Sequence, residues 1–124
     1  MLEELKIKIW GTQPVANVTD TNLSRLLERE FPQHIDKVKT KLDKVYSDSP
    51  SGKNRISAAI IKLSNKDLKS LDNFIDIANG DIRDVLSQAE YPRCSKLGFG
   101  DFDNNKMKSI YLDDWREYSK WLND

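Results

Sequence analysis

The chain has 124 residues, with 20 Lys plus Arg against 20 Asp plus Glu and a formal net charge of zero. That length fits one domain, 1–124, with a core that needs no disulfide or metal. The charges also balance locally, eight of each sign in residues 1–50 and twelve of each in 51–124. This excludes tracking of a nucleic-acid backbone by bulk positive charge and an acidic solvating tail.

Cys94 is the only cysteine, so no intrachain disulfide can form. No apolar run approaches the roughly 20 residues of a membrane helix, and Met1-Leu2-Glu3-Glu4 lacks an apolar signal core. The expected setting is cytoplasmic, with no membrane or nucleic-acid partner.

Residues 4–10 alternate, with Leu5, Ile7 and Ile9 on one face, which predicts a short strand. Leu2, Leu5 and Ile9 also fit a short helix closed by Gly11. Asp20 or Thr21 can cap a helix that runs to Phe31, stopped by Pro32. A second helix is expected from Gln33 to Ser47, where Ile35, Val38, Leu42 and Val45 form one seam. Ser47 to Gly52 has loop composition.

The third helix, Lys53–Leu63, places Ile56, Ala59, Ile60 and Leu63 on one side and Ile61 almost opposite. A fourth follows a Ser64 cap and ends at Asn79-Gly80, with Leu68, Leu71, Phe74, Ile75, Ile77 and Ala78 covering about half its circumference. Helices apolar over so wide an arc must be covered by other helices. A fifth starts at Asp81, with Ile82, Val85, Leu86 and Ala89 inward, and stops at Tyr91-Pro92; residues 92–110 read as irregular; the last spans 112–122 from a cap at Asp113 or slightly earlier. The expected fold is mainly α, a compact bundle of five to six helices, with room for a short N-terminal β element.

The chemistry-bearing residues form no catalytic set. His34 is alone at a helix start, which suits a surface or capping residue better than a metal ligand. Cys94 stands between Arg93 and Lys96, cations that favour thiolate, but no base accompanies it and a structural thiol is the expectation. Asp101, Asp103 and Asn105 open like a calcium loop, yet Lys106 replaces the turn glycine and Leu112 the closing glutamate. Ser51-Gly52-Lys53-Asn54 lacks the rest of a P-loop and leaves at most an anion contact from Lys53 and Arg55. No metal and no cofactor is expected.

Two surfaces suit a protein partner. Lys37, Lys41 and Lys44 line one stripe of the second helix. Six of the eleven aromatics follow residue 98; Tyr111, Trp115, Tyr118 and Leu122 share a face, and Trp121 lies to its side near Asp113, Asp114 and Glu117. Exposed Trp is a common anchor for partners. Arg55, Arg83, Asp84, Glu90 and Arg93 make a third group, either ion pairs between helices or, as Asp84, Glu90, Arg55 and Arg93 in one cleft, a small enzyme's carboxylate–arginine pocket.

Gly52-Lys-Asn-Arg-Ile-Ser-Ala-Ala-Ile-Ile-Lys-Leu-Ser, with Ile82-Arg-Asp-Val-Leu and Ala89-Glu-Tyr-Pro-Arg93, resembles a group of small uncharacterised bacterial proteins. Some similar proteins look like immunity partners encoded beside secreted toxins. The resemblance implies a class and no residue roles. The leading expectation is a non-catalytic protein-interaction domain, immunity-like, that occludes a partner protein. The others are the carboxylate–arginine enzyme and a structural subunit of a homo-oligomer.

Overall fold

The computed structural model describes Glu4, Ile7 and residues 14–98 and 105–124. Among these the chain is helical, with no strand. Of the expected strand 4–10 only Glu4 and Ile7 are described, and both are helical; its other positions lie outside the described residues.

Helix α1, Asp20–Glu30, is capped by Thr19, just ahead of the expected Asp20 or Thr21. Thr19 Oγ1 accepts the Asn22 amide at 3.1 Å while Asn22 Oδ1 accepts the Thr19 amide at 3.2 Å, a reciprocal capping box. Helix α2, Ile35–Leu42, stops well short of Ser47. The reason lies in another helix: Asn79 takes the Tyr46 amide at 3.2 Å and donates to the Lys44 carbonyl at 3.1 Å. Those two backbone groups are satisfied from outside, so a further helical turn is not needed to pair them.

Helix α3, Pro50–Ser64, starts inside the expected loop. Ser49 caps it by accepting the Gly52 amide at 3.1 Å, and Pro50 brings a preset φ to the first helical position. A Cβ on Gly52 would stand 2.7 Å from Ser47 Oγ and 2.9 Å from Ser49 Oγ, so glycine lets the capping hydroxyls close over the turn. Ser64 is not the cap of the next helix. It ends α3, its hydroxyl turned back to the Ile60 carbonyl, and left-handed Asn65 (φ 51°) breaks the spiral.

Asp67 caps α4, Leu68–Gly80, and Asp81 caps α5, Ile82–Glu90, through the Arg83 amide at 3.0 Å. Residues 92–110 are not irregular throughout: Pro92–Leu97 forms α6, ended by left-handed Gly98, and α7 spans Asn105–Asn123. Asp113 is therefore interior to α7 rather than its cap. With α6 the helices number seven among the described residues, not five or six.

Helix α3 is the hub. It packs on α1, α4 and α5, and every residue from Ile56 to Ile61 is buried, Ile61 included. Phe74 is half-buried against the same core, which also receives Tyr118 and Leu122 from α7. A smaller cluster of Ile7, Tyr91, Cys94, Met107 and Tyr111 joins α6 to α7. No helix is long and apolar enough to cross a membrane, among the described residues.

Candidate functional site

The five charged residues of the middle segment do not meet. Arg55 of α3 grips Glu90 of α5 with two parallel bonds, Nε to Oε2 at 2.9 Å and Nη2 to Oε1 at 2.7 Å. Glu90 is 3% exposed, so this is a charge-assisted fork inside the bundle. Arg93 faces α7 instead, at 2.8 Å from Asp114 and 2.6 Å from Glu117. Arg83 folds back on Asp81 at the surface, and Asp84 is exposed. Neither Glu90, Asp84 nor Arg93 lines any of the described cavities.

Lys62 is half-buried between α3 and α5. Its Nζ donates to the Ala89 carbonyl at 2.6 Å and sits 5.0 Å from the Tyr118 ring centroid. Burial pulls its ammonium below the usual lysine range, against the pull of Glu117 and Asp114. The Tyr118 hydroxyl is buried with no hydrogen-bond partner among the described residues, and burial followed by the Glu90 charge pushes it above the usual tyrosine range.

Cys94 is fully buried. Its two flanking cations do not activate it: burial and the Asp114 carboxylate push the thiol up to about 12. Asp114 also accepts the Cys94 amide at 3.1 Å and the Arg93 amide at 3.4 Å, serving the first turn of α6, which has no cap of its own. His34 holds the N-cap position of α2, exposed and without a capping bond from its side chain. Asp101 and Asp103 lie outside the described residues, while Asn105 to Leu112 are helix.

The surfaces picked from sequence are used internally to different degrees. Trp121 donates Nε1 to Glu30 Oε1 at 3.1 Å, stacks on Tyr118 and lies under Arg29. Trp115 is half-buried between the two core clusters. Lys41 is tied to Asp72 at 2.7 Å; Lys37 and Lys44 remain exposed.

An exposed apolar surface lies elsewhere. Tyr46 is 74% exposed and Ile82 41% exposed. Together with Leu86 and the buried Ile56 they line a cavity of about 260 Å³ over the start of α3, edged by Asp48 and Arg55. The Tyr46 hydroxyl donates to Asp48 at 2.8 Å, which fixes the ring. The carboxylate also raises the phenol above its ordinary value. Sequence reading missed this patch because Tyr46 sat in an expected helix and Ile82 on an expected inward face. Tyr46 instead lies past the early end of α2, and Ile82 is the first residue of α5. No family model, no curated protein and no solved structure matches the chain.

Proposed function

We propose that this protein is a non-catalytic interaction domain, an immunity-like inhibitor that occludes a partner protein through the Tyr46–Ile82 surface. The exposure of these two side chains around one cavity carries the reading. Tyr anchors and rigid apolar neighbours with a polar rim are the chemistry of binding hot spots. The arginines and carboxylates that an enzyme would need are engaged in holding helices together, which supports binding over catalysis.

The test is a photo-crosslinking residue at position 46, expressed in the producing cell, with position 37 labelled as the rival surface. The reading expects one discrete adduct from position 46, lost on Ile82→Glu. An adduct from position 37 alone would move the contact to the lysine stripe. An adduct of two copies of this chain would make the patch a homo-oligomer interface, which light scattering checks independently.

A further inference from the structure

One carboxamide holds the segment that presents Tyr46. Asn79 Oδ1 accepts the Tyr46 amide at 3.2 Å, and Asn79 Nδ2 donates to the Lys44 carbonyl at 3.1 Å. The clamp therefore needs an acceptor and a donor on the same side chain. Asn79 is followed by Gly80, and this is the only Asn-Gly pair in the chain.

Glycine after asparagine leaves the side-chain carbonyl open to the next backbone nitrogen, because no Cβ blocks the approach. The fold gives no other reason for glycine here. Gly80 is not in the left-handed region, and a Cβ built on it meets nothing within 4 Å. Alanine would suit the helix better. Asn79 and Gly80 are both exposed, in the last turn of α4, and helix ends fray. In the helical turn the Gly80 nitrogen is held away from Asn79 Cγ; fraying frees it to turn inward.

We propose that Asn79 is a deamidation site whose conversion releases the Tyr46 segment. The Gly80 nitrogen bonds to Asn79 Cγ, the Cγ–Nδ2 bond breaks, and the amide nitrogen leaves as ammonia with the proton that the Gly80 nitrogen gives up. The succinimide ring takes up one water and opens at either carbonyl, to aspartate or isoaspartate. Neither product rebuilds the clamp. Aspartate sets a carboxylate oxygen, which cannot donate, against the Lys44 carbonyl. Two acceptors then repel each other, and the Tyr46 amide bond beside them is strained open. Isoaspartate reroutes the main chain through Cγ and moves the carboxylate to the α carbon. The consequence for a partner rests on the reading of the Tyr46 surface given above; the conversion does not.

The full chain, incubated at mildly alkaline pH, is followed by peptide mass mapping beside the same chain unfolded in urea. Residue 79 should gain the mass of NH2 replaced by OH before any other asparagine does, more slowly than in urea. Gly80→Ala, for which the structure has room, should keep residue 79 intact. By NMR, Asn79→Asp should speed exchange of the Tyr46 amide about five-fold, the worth of one hydrogen bond. Neither measurement involves a partner, so loss of the position-46 adduct would leave both results standing. Another asparagine converting first, residue 79 intact over several times the period that the urea-unfolded chain needs, conversion of Gly80→Ala at the parent rate, or unchanged Tyr46 exchange in Asn79→Asp overturns the proposal.

Discussion

Arg29 lies over the Trp121 ring, 5.2 Å from its centroid, and donates to the Trp121 carbonyl at 2.8 Å. Arg25, one turn earlier, donates to the Leu122 carbonyl at 3.2 Å. Two arginines of α1 thus serve carbonyls at the C-terminal end of α7, where orphan acceptors and the negative end of the dipole need cations. Trp121 is a structural fastener between the first and last helices described here. Trp121→Ala should cost about 2 kcal/mol of folding stability in urea denaturation. It should leave any adduct at position 46 intact when the protein is folded. A Trp121→Ala protein as stable as the parent would contradict the fastener.

Glu90→Gln leaves the Arg55 guanidinium in a mostly covered site without its counter-charge. A loss of about 3 kcal/mol is expected. Replacing both residues, Arg55→Met with Glu90→Leu, should recover most of that loss, because the cost lies in the unpaired charge. The double-mutant cycle in guanidinium chloride checks this. Equal losses for the single and double variants would argue that the pair itself supplies the stability.

Tyr118→Phe removes a buried hydroxyl that has no hydrogen-bond partner among the described residues. It should leave stability unchanged or raise it by up to about 1 kcal/mol. A destabilised variant in thermal unfolding would mean that the hydroxyl has a partner after all.

Alkaline pH should unfold the protein early. Burial raises Tyr91 and Tyr118 above the ordinary 10.0, and carries Tyr111 and Cys94 up to about 12. As pH climbs past the thiol's usual 9.0 and the phenol's 10.0, the unfolded chain releases these protons and the folded chain keeps them. The folded state then binds more protons, so stability falls with rising pH. Lys62 works the other way, since its folded form loses its proton first, but one group opposes four. Denaturation midpoints measured from pH 8 to 11 should decline, and less steeply in Tyr118→Phe. A flat profile would contradict the burial of these groups.

Asp114→Asn should release the first turn of α6. Its carboxylate, 0% exposed, serves two backbone amides and the Arg93 guanidinium. A loss of about 2 kcal/mol is expected, with faster amide hydrogen exchange at Cys94. Unchanged exchange there would show that α6 is held by packing alone.

Local signals carried a large part of the helical framework. Pro32, Gly80 followed by Asp81, and Pro92 set boundaries through backbone chemistry that acts within a few residues, and the apolar run Ile56–Ile61 marked the hub. Where a helix depends on a distant partner, the sequence is silent. The Asn79 clamp stops α2, and Asp114 lets α6 form by accepting the amide of Cys94, 20 positions earlier in the chain.

The same division applies to the sites. Residue type and spacing were enough to anticipate that Arg55, Glu90 and Arg93 would pair between helices as one possibility, but the partner of Arg93 came from α7. The exposure of Tyr46 and the Tyr118 hydroxyl left without a partner among the described residues had no local signature, because exposure and hydrogen-bond satisfaction belong to the packed arrangement. The sequence by itself determined a neutral, mainly helical chain with a hub too apolar to face water. The tertiary structure alone decided which polar groups were consumed in holding helices and which remained open, since that depends on the contacts each helix finds across the bundle.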